Sequence, residues 1–368
     1  MLSLFLAKLS FMLMTIYVCS ACVFDEVTTN STNTTTLIPR YYSVPNQRDG
    51  STQWGPWPFA VIDDVNGNQA PIYYCYEGAW AVNNLPLLFA DAFAKWSAAF
   101  GYSALRFQQD PFCGDVVECE CAIGNTRDDT LRIIPTRTGI SHATLGYNYQ
   151  SNEPGRHALY LNVNGYSSFD VDVASRAGYV LIAAHGLGHV IGLGHEHQRP
   201  DRDSDVDFHC ENLVGYAAAL ARVVDSRQSW SLPRELPACD LPKWLTDEEC
   251  LQNVVCKLSD YAYKWYPDAL NFITGDNQPL WKDLEWPTWP LDTYSIMIYN
   301  SYDGTSYPNG GRGANFPDGA VLVGKQRGSG AIFPIFQGGT SNRADAIPSG
   351  RDKGRVGQLY PLGTRYGR

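Results

Sequence analysis

Three histidines and a glycine in residues 183–203, AAHGLGHVIGLGHEHQRPDRD, constrain the fold of this chain more than any other feature. His185 and His189 are four residues apart, so both imidazoles face the same way on a helix. Gly192 follows three residues later and allows the positive φ with which a chain leaves a helix and turns back. His195 then approaches the same point from the opposite side. Three nitrogen ligands with an open fourth position are typical of catalytic zinc, so the segment predicts a site for one zinc ion.

The spacing H-x-x-x-H-x-x-G-x-x-H resembles the metzincin signature of zinc peptidases. The residues from His195 to Asp203, HEHQRPDRD, resemble the H-E-x-x-R-x-D-R-D motif of the astacin family. Residues 295–299, SIMIY, are similar to the Met-turn of that family, with isoleucine where histidine is usual. The match is specific near the histidines, and a looser pattern extends it over about residues 54–362.

One residue departs from the family motif. Astacins carry a glutamate directly after the first histidine as the general base of peptide hydrolysis, and Gly186 occupies that position. General acid–base catalysis typically contributes about 10²–10⁴-fold to a rate. Glu196 is no ready substitute, because the family's glutamate at that position points away from the water and contacts the mature N-terminus. The resemblance therefore implies a zinc metalloendopeptidase whose hydrolysis is severely reduced or absent.

The resemblance assigns roles to two further residues. Tyr299 matches the tyrosine that reaches the zinc and stabilises negative charge during hydrolysis, although a phenol with a pKa near 10 is a poor base. Met297 matches the residue packed beneath the metal. His142 and His157 lie beside predicted strands and are expected to be ordinary surface or loop histidines. Histidines four apart on a helix can also be merely packed, but four of the seven histidines fall within residues 185–197 and favour a metal site.

Two interpretations of the function follow, and the sequence does not choose between them. The protein is either a zinc-binding pseudo-peptidase that binds extended polypeptide, or a sequence variant of an active enzyme, since Glu and Gly codons differ by one base. The enzyme hypothesis predicts chelator-sensitive cleavage, whereas the binding hypothesis predicts zinc content and peptide affinity without turnover. The formal net charge of −10, without a Lys/Arg run, argues against nucleic acid or an anionic membrane as partner.

The N-terminal part of the chain has the pattern of a secreted protein. Residues 1–22 carry one charge, an apolar run at 11–18 and small residues, which predicts a signal peptide and no membrane anchor once it is removed. An uncleaved anchor and a lipid attached at Cys22 are the less favoured alternatives. Residues 23–50 are predicted to be a Thr/Asn-rich, glycosylated linker or pro-segment, with sequons at Asn30 and Asn33. Within it, residues 28–36 are polar and of low complexity and are expected to be disordered. Eight cysteines beyond residue 22 predict disulfides in 105 possible pairings.

Residues 51–365 are predicted to form one α+β domain of the bilobed metzincin type. The resemblance implies a twisted mixed sheet with two long helices above the zinc cleft and an irregular lobe below it. Residues 158–163 are the candidate for the edge strand that pairs with an extended substrate. An insertion is expected at about 225–291, and its own small core is favoured over an exposed binding surface. The tryptophans of this insertion are Trp230, Trp244, Trp265, Trp281, Trp286 and Trp289.

Overall fold

The computed structural model describes residues 26–27, 36–37, 43–45, 52–63, 67–113, 119–121, 126–166, 173–228, 246–275, 291–307 and 315–362. The predicted signal peptide, the sequons at Asn30 and Asn33 and all tryptophans of the predicted insertion except Trp265 lie outside these residues. None of the helices in this part of the chain combines the length and hydropathy needed to span a bilayer.

The predicted linker, residues 23–50, contributes to the structure at several points. Strands β1 (Glu26–Val27) and β2 (Thr36–Leu37) pair antiparallel. Ser43 and Val44 are fully buried, and the Val44 N–H donates to the carbonyl oxygen of Gly192 at 2.8 Å. Val44 fills the space that the missing side chain of Gly192 leaves, so residues 43–45 pack against the folded domain. The stretch expected to be disordered, residues 28–36, lies outside the described residues apart from Thr36.

A mixed six-stranded sheet forms the upper lobe, in the order β4-β5-β7-β10-β8, with β6 also paired to β5. Strands β5, β6, β7 and β10 are parallel, while β4 and β8 run antiparallel to their neighbours. Strands β3 and β9 form a separate antiparallel pair. The strands of the upper lobe are β3 (Trp54–Gly55), β4 (Ala60–Asp63), β5 (Gly67–Tyr76), β6 (Leu105–Gln109), β7 (Leu131–Thr136), β8 (His142–Ala143), β9 (Tyr147–Asn148) and β10 (Ala158–Asn162).

The edge of this sheet corrects one prediction. Strand β10, proposed as the substrate-binding edge, lies between β7 and β8 and is not the edge strand. Ala143 pairs with Leu159 and His142 with Tyr160, so β8 is the outer strand at this side. A strand of two residues is too short to show the alternation of polar and apolar residues from which strands are recognised.

Three helices, α1 (Gly78–Asn84), α2 (Pro86–Phe100) and α3 (Val173–Ile191), pack with the sheet. The sequence predicts α2 well, since Pro86 suits the first helical turn and Phe89 and Trp96 are fully buried. Leu85 occupies the N-cap position of α2, and Asn83 and Asn84 before it belong to α1. The Trp96 Nε1–H donates to the Ala184 carbonyl oxygen at 2.8 Å and joins α2 to α3.

The lower lobe is built from short elements around a second hydrophobic core. Its strands β11 (Val206–Phe208), β12 (Leu322–Lys325) and β13 (Ile332–Phe333) form an antiparallel sheet. Helices α4 (Tyr216–Gln228), α5 (Asp247–Cys250) and α6 (Ser259–Trp265) precede a 3₁₀ turn at Pro267–Asn271. Helix α7 (Gly350–Leu359) returns to the upper core. The α+β class predicted from the sequence is confirmed.

Disulfides join Cys75 to Cys121, Cys113 to Cys119 and Cys210 to Cys256, and Cys250 is also disulfide-bonded. The prediction of disulfides is confirmed, and the pairing is information that the sequence did not supply. Between residues 246 and 275 the chain contributes many side chains to the second core, and Trp265 packs against it. This packing supports the core interpretation for the described part of the predicted insertion.

Candidate metal centre

Helix α3 and the turn that follows it bring the three histidines together. His185 and His189 are one turn apart near the carboxyl end of α3. Gly192 has a φ of +110°, and its N–H donates to the His189 carbonyl oxygen at 2.8 Å. This left-handed residue ends the helix as predicted and reverses the chain, so that His195 points back at the first two imidazoles.

The three Nε2 atoms converge on one point. They are 3.1 Å apart between His185 and His195, and 3.2 Å apart in the two pairs that include His189. Each histidine is 1 % exposed. A tetrahedral ion with Zn–N distances near 2.0–2.1 Å needs ligand atoms about 3.3 Å apart, so the donor set fits zinc. Within the described residues this is the one cluster of metal-ligating side chains.

The outer nitrogens of these rings are also held. The Nδ1–H groups of His185 and His189 donate to the carbonyl oxygens of Ile296 and Leu193, each at 2.9 Å. His195 Nδ1 lies 2.8 Å from the side-chain oxygen of Gln198. Burial, followed by the neighbouring histidines, lowers the pKa of His195 well below its usual value, so the ring is neutral as a metal ligand requires.

Gly186 lies on α3 directly beside the first ligand. A Cβ built on it would point at Leu159 of β10, 3.2 Å from Cδ1. Among the described residues that line the small cleft at this point none is acidic, so no carboxylate among them takes the place of the missing glutamate. These residues are Ser141, His142, Leu159, Tyr160, Leu161, Ile182, His185, Gly186 and His189.

Glu196 is held by other groups. Its Oε1 accepts from the Arg199 guanidinium at 2.7 Å and from the Asp292 N–H at 2.9 Å. Burial raises the pKa of Glu196 to about 7, and the charge of Arg199 acts in the opposite direction. Arg199 is itself 1 % exposed and also bonds to Asp201. These contacts occupy Oε1 of Glu196, and the expectation that this residue does not replace the base stays a prediction.

The Met-turn packs directly under the histidines. The Tyr299 ring is buried, with its centroid 4.7 Å from that of His195 and 6.1 Å from that of His185. Met297 is 1 % exposed and accepts a hydrogen bond from the Glu196 N–H at 3.1 Å. A Cβ on Gly188 would overlap the Met297 sulfur, which explains why this helical position is glycine. Tyr299 and Met297 thus lie beside the histidine cluster, and their roles stay predictions.

Two of the three histidines outside the motif, His142 and His157, were expected to be ordinary, and neither belongs to the metal-ligating cluster. His142 of β8 stacks on Tyr160, with ring centroids 4.3 Å apart. Both rings line the cleft beside Gly186 together with Leu159.

His157 is not the surface or loop histidine that we expected. It is fully buried, accepts from the Asn148 N–H at 2.9 Å and donates to the Asp129 carbonyl oxygen. Its ring also lies against Trp57, with centroids 4.6 Å apart. Burial lowers its pKa to about 3. The aromatic and backbone partners of His157 come from distant parts of the chain, so no local sequence pattern predicts that this histidine is buried.

Three further residues of the centre are not marked by any sequence motif used above. Gln198 contacts His195, and Gln337 Nε2 lies 2.8 Å from His185 Nδ1 and donates to the Ile296 carbonyl oxygen at 2.7 Å. His197 donates from Nε2 to the Asn271 carbonyl oxygen, and its Nδ1 accepts from the Tyr299 N–H at 3.3 Å. The proximity of Gln198 and His197 to His195 in the sequence was the one available signal.

The geometry can now be compared with known proteins. Residues 165–232 match the model of the family described as Astacin (Peptidase family M12A). Zinc metalloproteinase nas-26 of Caenorhabditis elegans is 32% identical over 81 residues, which cover 20% of this chain and 19% of the relative. Zinc metalloproteinase nas-12 of the same organism is 27% identical over 135 residues, which cover 37% and 29%. The chain thus spans less than a third of the length of either relative.

Among solved structures, high choriolytic enzyme 1, a hatching enzyme zinc-protease from the medaka fish Oryzias latipes, aligns with a TM-score of 0.43 and 17% identity. The alignment covers 86% of this chain and 98% of that chain. The matched family model contains all three converging histidines and Gly192. By the family model and the two nematode relatives, the part of the chain that carries the three histidines, residues 165–232, is similar to the astacin family of zinc metallopeptidases.

Proposed function

We propose that this protein is a secreted astacin-type domain that binds one zinc ion and extended polypeptide but hydrolyses peptide bonds poorly. The observation that carries the proposal is the cleft beside Gly186, whose lining, in the part of the chain that the structure describes, includes two zinc-ligating histidines and no acidic residue. The ligand set for the metal is complete, and the group that would move the proton is missing.

When bound, zinc supplies Lewis-acid chemistry, which polarises a carbonyl group and acidifies water. His185, His189 and His195 would hold the ion through Nε2. Tyr299 would stabilise negative charge from its position beside His195. Peptide hydrolysis also requires a base that takes a proton and passes it to the leaving nitrogen, and a hydrogen atom is all that Gly186 offers.

Binding of an extended polypeptide is supported by the sheet edge. Strand β8 pairs with β10 along one side, and within the described residues no strand covers its other side. Backbone groups on an exposed edge can pair with an added strand, which gives affinity without dependence on sequence. Secretion is supported by the disulfides and by the signal-peptide pattern of residues 1–22.

The test measures zinc content, peptide binding and turnover on one preparation of the full chain. We expect about one zinc per chain and measurable affinity for a mixture of unstructured peptides, with turnover near the uncatalysed level. His195→Ala is the matched control and should lose the zinc. Rapid, chelator-sensitive cleavage by the parent would establish the alternative, an active enzyme with another base. Absence of both zinc and peptide binding would reject the proposal.

A further inference from the structure

The three metal-ligating rings are not held in the same way. The Nδ1–H groups of His185 and His189 donate to backbone carbonyl oxygens, which the fold itself fixes. The Nδ1 of His195 is held by a side chain, the amide of Gln198, at 2.8 Å. A side chain can orient a ligand only if its own conformation is fixed, so the partners of Gln198 decide what it does.

Gln198 is fixed at both ends of its amide. It is 3 % exposed, and its Nε2 donates to the Leu270 carbonyl oxygen at 2.9 Å. A carbonyl oxygen can only accept, so the NH₂ group must face Leu270 and the Oε1 must face His195. An amide oxygen also only accepts, so His195 must carry its proton on Nδ1. The lone pair of Nε2 is then directed at the other two histidines.

The Leu270 carbonyl belongs to a firmly packed part of the lower lobe. Leu270 is 3 % exposed. The carbonyl groups of the next two residues, Asn271 and Phe272, also accept hydrogen bonds from the segment that contains Gln198. His197 donates to Asn271 at 2.9 Å, and Arg202 donates to Phe272. The three consecutive carbonyl groups of residues 270–272 therefore hold residues 197–202, the segment that begins two positions after His195.

We propose that Gln198 is a positioning residue that transmits the packing of residues 270–272 to the metal centre by fixing the tautomer and orientation of His195. The inference rests on the zinc-binding part of the proposed function and is independent of hydrolysis. It gives this region of the lower lobe a role in metal affinity, although none of its residues contacts the metal-ligating nitrogens.

The tautomer can be measured without any metal. In ¹⁵N-histidine NMR spectra of the zinc-free full-length chain, the parent should show His195 protonated at Nδ1, and Gln198→Leu should show a mixture of tautomers. In the same pair, chelator competition should show zinc binding weakened about 10–100-fold by Gln198→Leu, as for other outer partners of metal-ligating histidines. Gln198→Glu keeps an acceptor for Nδ1–H and should recover the tautomer and part of the affinity.

Asn212→Leu is the matched control, because the Asn212 side-chain amide also donates to a backbone carbonyl oxygen of the lower lobe, that of Ala320 at 2.7 Å, and is not part of the metal centre. Its zinc affinity should stay within about threefold of the parent, well short of the loss expected for an outer partner. Nε2 protonation of His195 in the parent, unchanged zinc affinity in Gln198→Leu, or an equal loss in Asn212→Leu would overturn the inference. If the parent takes up no zinc, the proposed function fails, and the tautomer still decides the role of Gln198.

Discussion

Substitution of Gly186 by glutamate should create the missing base. The three atoms nearest to a Cβ at this position all belong to Leu159, with Cδ1 at 3.2 Å and Cγ at 3.4 Å. The end of a leucine side chain can move by a few tenths of an ångström without disturbing the backbone. Replacing a helical glycine also gains about 0.5–1 kcal/mol of helix propensity, which offsets this strain. The Gly186→Glu chain is therefore expected to fold and to bind zinc.

The expected gain in peptidase rate is about 10²–10⁴-fold, the usual contribution of a general base. The assay is cleavage of a quenched fluorescent peptide by zinc-quantified protein, with and without chelator. Gly186→Gln is the matched control, since it has the same size and no basic carboxylate, and it should remain at the level of the parent. A zinc-loaded, folded Gly186→Glu chain without activity would show that more than the base is missing. A parent as active as this variant would show that another residue supplies the base.

Three other predictions concern the same helix, the core and the Met-turn. Gly186→Ala should raise the free energy of unfolding by up to about 1 kcal/mol. Gly188→Ala should lower it by about 1–3 kcal/mol, because the new methyl group overlaps Met297. Urea unfolding of the two variants measures both changes. The fold holds His157 neutral, with a pKa of about 3 against 6.5 when unfolded. The contribution of neutral His157 to the free energy of unfolding is therefore complete above pH 6.5 and is lost as the pH falls. Between pH 7 and 5 the free energy of unfolding of the parent should fall by about 2 kcal/mol more than that of His157→Gln, and equal decreases would contradict this. In the Gly186→Glu background, Tyr299→Phe should reduce kcat about 10²–10³-fold with zinc content unchanged.

The sequence predicts those parts of the site that depend on local spacing. The helical placement of His185 and His189 and the exit at Gly192 agree with α3, because the helical period and the turn are determined by consecutive residues. The reason for glycine at 188 is different, since the side chain that it accommodates, Met297, is more than a hundred residues away.

The missed features depend on contacts between distant residues. Gln198 binds a carbonyl group 72 positions further along the chain, and no periodicity reports a single side-chain hydrogen bond. Strand β8 was missed because two residues carry no alternation, and its identity as the edge depends on pairing with β10. His157 was misjudged because its partners Trp57 and Asp129 come together only in the folded chain.

The buried position of Val44 redefines how much chain a stable form of this protein needs. Ser43 bridges to Leu193, accepts from Arg355 of α7 at 2.7 Å, and places Val44 against Gly192 and Gly146. A recombinant protein trimmed to the predicted start at residue 51 would carry a hole directly behind the turn between the second and third ligands. Loss of a buried valine typically lowers the free energy of unfolding by more than about 1 kcal/mol. Here the destabilised part is the turn that orients His195. Truncation or proteolytic processing that removes residues 43–45 should therefore weaken zinc binding, whereas cleavage before Ser43 should leave the zinc affinity unchanged.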